Sequence, residues 1–184
     1  DGTILSEVQL DVNTYGAAID SDGWIWVSGR NSHAIQRFHY MTHEVQPAMD
    51  VPLDVCQGTN PYGITIDRED RVWIGVWDEG GACRYDPETE SWFFVDTGGL
   101  ARGVAVDEEN HIWASNDSAG TLYRFDADDG ADVEFWTIPG TRPIGVGVDR
   151  YTRVWTINQE SNDAARFDRT TVEFDSFPVG SGPY

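Results

Sequence analysis

The chain has 184 residues, 40% of them hydrophobic, enough for one domain with a real core, and no run of ~18 apolar residues that would cross a membrane as a helix. Its formal charge is −20, and all twelve basic residues are arginine. Such a surface is very soluble and sets the chain against nucleic acid and anionic membranes, which need clustered cations.

Residues 1–14 begin no repeat. Asp1 to Leu10 aligns with Asp129 to Ile138, a strand-like stretch further along, so 1–14 is expected to be a spare outer strand. From residue 15 a unit sets in. In 15–60, Gly16-Ala17-Ala18-Ile19-Asp20 reads as a first strand, closed by the hairpin signal Asp20-Ser21-Asp22-Gly23. Trp24-Ile25-Trp26-Val27 follows as a second strand and Ala34 to His39 as a third. The surplus of this longest unit lies in Pro47 to Asn60.

In 61–100 the order returns: Gly63-Ile64-Thr65-Ile66-Asp67, Arg71-Val72-Trp73-Ile74, Cys83-Arg84-Tyr85-Asp86, then an outer strand at Ser91 to Val95. In 101–142 it reads Gly103-Val104-Ala105-Val106-Asp107, His111-Ile112-Trp113-Ala114, Tyr123-Arg124-Phe125-Asp126, then Val133 to Ile138. In 143–184 it reads Gly145-Val146-Gly147-Val148-Asp149, Arg153-Val154-Trp155-Thr156, Ala165-Arg166-Phe167-Asp168, then Val172 to Phe177. The chain stops at Gly182-Pro183-Tyr184, which matches Asn60-Pro61-Tyr62.

Trp26, Trp73, Trp113 and Trp155 are aligned at steps of 47, 40 and 42 residues. A repeat of this length filled with short strands is the mark of a β-propeller blade. The expected fold is therefore all-β, with four consecutive four-stranded blades plus the spare N-terminal strand. Each first strand alternates apolar residues, as in Ile64 and Ile66, and each repeated Trp is expected to fill the space between blades. The unmatched ends predict an arc of a larger propeller of about six to eight blades, or a ring closed by further copies. Asp1-Gly2-Thr3-Ile4 is neither a signal peptide nor a translation start, which predicts a processed chain or a piece of a longer one.

On Pro61-Tyr62-Gly63-Ile64-Thr65-Ile66-Asp67, followed by Val72-Trp73-Ile74 and Arg84-Tyr85-Asp86, the chain resembles the streptogramin lyase (virginiamycin B lyase) propellers, and more loosely the NHL-type propellers. The resemblance spans the whole chain, because it lies in the repeat. It implies a seven-bladed propeller, a magnesium ion, and a histidine-assisted elimination that opens a cyclic depsipeptide. Blades of that family carry Glu three residues after the second-strand Trp. Here those positions are Gly29, Val76, Asn116 and Asn158, so the resemblance assigns no catalytic histidine and no metal carboxylate.

In a propeller the loops from strand two to three, and from the outer strand to the next blade, share one face. Those loops bring Arg30, Asn31, His33, Trp77, Asp78, Glu79, Asn116, Asp117, Asn158 and Glu160 to that face, with Tyr62, Arg102 and Arg142 from the inter-blade loops. Polar residues of both charges on one face suit ligand binding, and they also suit solvated loops. His33 is the lone histidine there and the weak candidate for a general base. Each repeated Asp is expected to accept backbone N–H bonds in its turn. Cys56 and Cys83 are placed for a disulfide, which would imply an exported protein, periplasmic or extracellular; two separate buried thiols is the other reading. The functional expectation is a non-catalytic scaffold whose polar loop face binds a small molecule, glycan or protein, with no nucleic acid or membrane partner. The alternative is a magnesium-dependent lyase resembling the streptogramin family.

Overall fold

The computed structural model describes residue 4 and residues 6–184. It is all-β, with four four-stranded antiparallel sheets and one short helix. The first sheet is β1 (Thr14–Ile19), β2 (Trp24–Gly29), β3 (Ala34–His39) and the short β4 (Met49–Asp50). The second is β5 (Pro61–Ile66), β6 (Val72–Val76), β7 (Gly81–Asp86) and β8 (Ser91–Val95). The third is β9 (Ala101–Val106), β10 (His111–Asn116), β11 (Thr121–Asp126) and β12 (Glu134–Thr137). The fourth is β13 (Pro143–Val148), β14 (Val154–Asn158), β15 (Asp163–Asp168) and β16 (Glu173–Pro178). Within every sheet the strands pair in sequence order.

Successive sheets meet through their first strands: β1 lies against β5, β5 against β9, and β9 against β13. The approach is close enough to require glycine. A Cβ at Gly63 would sit 2.4 Å from the Arg102 carbonyl oxygen, and one at Gly103 would sit 2.6 Å from the Val146 nitrogen. β13 does not pack on β1 in this way, so the four blades form an open arc.

The repeated tryptophans fill the seams. Trp26 packs with Val72, Ile74 and Tyr85 of the second blade, and Trp113 with Val154, Ala165 and Phe167 of the fourth. Trp26, Trp73 and Trp113 are fully buried. Trp155 is only half-buried, because among the described residues no fifth sheet covers it. The mirror situation holds at the other end. Ile19 is 55% exposed, although its counterparts Ile66 and Val106 are half-buried. The alternating face of β1 finds no neighbouring sheet among the described residues, so the expectation that it meets a core holds for blades two to four and not for blade one.

Residues 1–3 and 5 of the spare N-terminal segment lie outside the described residues. Ser6 to Asn13 pairs with no strand; Leu10 and Val12 instead cover Val27 and Ala34 of the first blade. The surplus Pro47 to Asn60 folds into β4 and α1 (Leu53–Cys56), and Cys56 is disulfide-bonded to Cys83 on β7 across a Cα separation of 5.5 Å.

Candidate functional site

The residue before each first-strand glycine sits on one rim around the axis. These are Tyr15, Tyr62, Arg102 and Ile144, one per blade, brought close by the glycine contacts just described. The Tyr15 and Tyr62 rings lie 4.2 Å apart at their centroids, with their hydroxyls hydrogen-bonded at 2.5 Å. The Tyr184 hydroxyl bonds to both. These residues line an axial cleft of about 270 Å³, with Ile144 on its far wall.

Two arginines stack on this aromatic rim. Arg102 Cζ lies 4.8 Å from the Tyr62 ring centroid and 4.5 Å from that of Trp77, which follows β6. Arg30, just past β2, places Cζ 5.3 Å from Tyr62, 4.7 Å from Trp77 and 5.5 Å from Tyr15. A guanidinium over an aromatic face is attracted by the ring quadrupole, by about 0.5–2 kcal/mol depending on desolvation. The ring faces thus hold the cations without consuming their N–H donors.

The donors are left over. The Arg102 side chain is 4% exposed; its Nε lies 3.1 Å from Asp117 Oδ2 but is not aligned to bond it, and its Nη1 has no acceptor. Arg30 Nε and the Trp77 indole nitrogen are likewise buried without an acceptor among the described residues. Buried polar groups are nearly always bonded; the Nε atoms of Arg84, Arg124 and Arg166 also lack an acceptor among the described residues, but only at this rim do three side chains with such donors converge. Arg142 completes the group, with Nε 3.5 Å from Asp117 Oδ1 and Nη1 3.5 Å from Glu160 Oε1. Burial lowers the Arg102 pKa; Asp117 opposes this, and the neighbouring Arg142 and Arg30 add to it. Burial raises the Tyr62 pKa against the pull of Arg102 and Arg30.

Other polar residues of this face serve the seams between blades. In every blade a short oxygen-bearing side chain in the top loop accepts a backbone N–H from the inter-blade loop. Ser32 takes Asn13 at 2.7 Å, Asp78 takes Asn60 at 3.0 Å, Ser118 takes Leu100 at 3.4 Å, and Ser161 takes Thr141 at 2.9 Å. Asn116 is fully buried and donates to the Thr97 carbonyl at 2.9 Å; Asn158 is fully buried and bonds Thr156 and Asp163. The Asn31 N–H donates to Asn60 Oδ1 at 3.0 Å. His33 is exposed, and its Nδ1 lies 2.9 Å from Thr59 Oγ1, in the seam between blades one and two. Glu79 is exposed and bonds nothing among the described residues.

Six of the residues read from the sequence therefore gather at the rim: Arg30, Tyr62, Trp77, Arg102, Asp117 and Arg142, with Glu160 exposed beside Arg142. Asn31, His33, Asp78, Asn116 and Asn158 do not; they satisfy backbone and side-chain bonds at the seams. Tyr15 belongs to the site and was not singled out, although it stands before Gly16 as Tyr62 stands before Gly63.

Magnesium prefers several oxygen ligands in octahedral array. The axial carboxylates do not offer this, since Asp117 faces two arginines and Glu160 one. Among the described residues one trio can converge on an ion: Asp107, Glu109 and His111, on the opposite face. There Arg169 lies 2.9 Å from Glu109 and 3.6 Å from Asp107, and Arg124 lies 3.5 Å from Glu109. Resident guanidinium groups already neutralise these carboxylates, so the residues present do not fit a magnesium centre.

The architecture is that of a β-propeller: four-stranded radial sheets whose first strands surround an axis. The sequence matches no family model and no curated protein. The fold is shared with a catalytically inactive variant of virginiamycin B lyase from Staphylococcus aureus solved with quinupristin: TM-score 0.79, 14% identity, 94% of this chain and 58% of that one. It is shared equally with hydrazine synthase from Kuenenia stuttgartiensis, at TM-score 0.78, 12% identity, 98% of this chain and 54% of that one. An extracellular domain from B. thetaiotaomicron superimposes at TM-score 0.69 and 13% identity, over 97% of this chain and 24% of that one. The chain thus spans little more than half the length of the first two. Two proteins with such different names at almost the same TM-score show that the fold does not select an activity.

Proposed function

We propose that this chain is a propeller binding module whose axial face takes a small molecule, with no chemistry performed by its own residues. One observation carries the reading: Arg102 is buried on the rim with unmatched donors, beside half-buried Arg30 and Trp77, each with one buried nitrogen that has no acceptor among the described residues. Burying such groups without acceptors costs roughly 1–3 kcal/mol each, which a ligand bringing acceptors would recover. The Cys56–Cys83 bond supports export to an oxidising compartment, and no helix among the described residues is long and apolar enough to cross a membrane.

The test is a small-molecule fragment screen by ligand-observed NMR on the wild-type protein and on Arg102→Met, which keeps the volume and removes the donors. Hits lost in the variant support the reading. A screen in which wild type and variant bind alike overturns it.

A lyase reading draws support from the likeness to virginiamycin B lyase, which is a likeness of fold. His33 contacts Thr59 at the seam and none of the axial residues among its hydrogen bonds, which gives this reading no base at the axis. Linearisation of quinupristin by the protein with magnesium, abolished by His33→Ala, would favour the lyase over the binding module.

A further inference from the structure

The axial rim is rich in donors and short of acceptors, and its charge can be counted. Arg102 and Arg142 face Asp117 and Glu160, while Arg30 faces no carboxylate among the described residues, which leaves one positive charge in this group of five side chains. Arg30 is without a carboxylate or any hydrogen-bond acceptor among the described residues, and lies against Tyr15, Tyr62 and Trp77. The excess positive charge sits at the axis of a protein whose net charge is −20.

We propose that this rim binds a monoanionic carboxylate carried on an aromatic body, with Arg102 and Arg30 donating to the carboxylate and the rings of Trp77, Tyr62 and Tyr15 facing the body. This deepens the binding-module reading and rests on it. A carboxylate matches the single excess charge and the planar fork of a guanidinium. A phosphate dianion exceeds that charge, and an amine is repelled by it. A neutral oxygen can accept from the Arg102 donors, but it leaves the excess positive charge uncompensated and forms the weaker bond. The rim adjoins, through Tyr15 and Tyr62, the axial cleft of about 270 Å³, just below the usual range of ligand clefts, roughly 300–1,000 Å³; Arg30, Arg102 and Trp77 stand beside that cleft and do not line it. That size suits one ring system and not a peptide or glycan. Among the described residues Arg30 has no side-chain hydrogen bond to break before it turns toward a ligand.

The experiment is isothermal titration of the whole protein at low salt with benzoate, indole-3-acetate, benzyl alcohol, benzylamine and inorganic phosphate. The expected result is binding of the two aromatic carboxylates only. Arg102→Met weakens that binding at least tenfold, Arg30→Met several-fold, and Arg102→Lys less than Arg102→Met. Arg30 lies on the half-exposed rim, so its variant answers the question even if replacing the buried Arg102 disturbs folding. Benzyl alcohol binding as well as benzoate, or phosphate binding more tightly, overturns the carboxylate. If the fragment screen yields Arg102-dependent hits and none is a carboxylate, the carboxylate fails and the binding module stands. If the screen also finds no Arg102-dependent hit, both fail.

Discussion

Asp67 pins Trp73: its Oδ2 accepts the indole N–H at 3.0 Å, while its Oδ1 accepts the backbone N–H of Arg71 at 2.9 Å. The same pair of bonds recurs from Asp20 to Trp26 and Trp24, from Asp107 to Trp113 and His111, and from Asp149 to Trp155 and Arg153. One carboxylate therefore closes the first hairpin and orients the ring that fills the seam. Asp67→Asn keeps the size but cannot offer two acceptor oxygens, leaving two buried donors, the Trp73 indole and Arg71 Nε, unmatched. It should cost about 2–3 kcal/mol, read as a lower midpoint in urea with an unchanged slope. A loss under 0.5 kcal/mol would refute the pin.

The four tryptophans should not be equal. Trp113→Ala empties a fully buried seam and is expected to cost about 3–5 kcal/mol. Trp155→Ala removes a half-buried ring that stacks on Phe177, with centroids 5.5 Å apart, and should cost less than half as much. Chemical denaturation of the two variants side by side checks the ordering.

Acid should unfold the protein through specific aspartates. Burial acts to raise the Asp107 pKa, but N–H donors from His111, Trp113 and Glu109 outweigh it, and the carboxyl lies below its usual range. Asp163 is lowered in the same sense, against burial, by Ser161, Ser176 and Asn158. A folded pKa below the unfolded value of about 3.9 contributes stability that is complete above that pH. It is lost as pH falls through the folded value. Melting temperature should therefore hold from neutrality to about pH 4 and drop below it, with a shallower drop in Asp107→Asn.

Reduction of Cys56–Cys83 opens a closure of 27 residues in sequence separation. On the chain-entropy account this removes about 3–4 kcal/mol. The double variant Cys56→Ser with Cys83→Ser should melt lower than the oxidised protein and no longer respond to reductant.

Val172 holds a left-handed backbone, φ 58°, in the turn between β15 and β16, where a branched side chain is disfavoured. Its counterparts Glu90 and Asp132 share the conformation without branching. Val172→Gly should stabilise by about 1 kcal/mol, seen as a raised thermal midpoint.

Much of this fold was legible because the repeated Gly, Asp and Trp each have one strong physical reason to be where they are. The turn role of the aspartates was readable; their bond to the indole six residues on was not, because it depends on how the hairpin brings Trp73 back beside Asp67. At the site, loop position identified Arg30, Arg102 and Arg142. It also gathered Asn116, Asn158 and Asp78, whose polar groups are absorbed by backbone N–H groups, carbonyls and neighbouring side chains at the seams. A sequence names the donors and acceptors in a loop but not which of them are already matched. The same limit holds for Trp77: its loop position puts it on this face, but not that its indole nitrogen is buried without an acceptor among the described residues.

The close approach of first strands across Gly63 and Gly103 also decides how this molecule comes apart. Each sheet packs on its neighbouring sheets, and the tail after blade four reaches blades one and two through the Tyr184 hydroxyl, so cohesion runs mainly along the arc as in a stack of coins. Removing a blade at either end breaks one junction, whereas disturbing the second or third breaks two. Opening is therefore expected to travel inward from blades one and four. The Trp77 and Arg102 part of the rim, held by the two middle blades, should be the last of the axis to loosen.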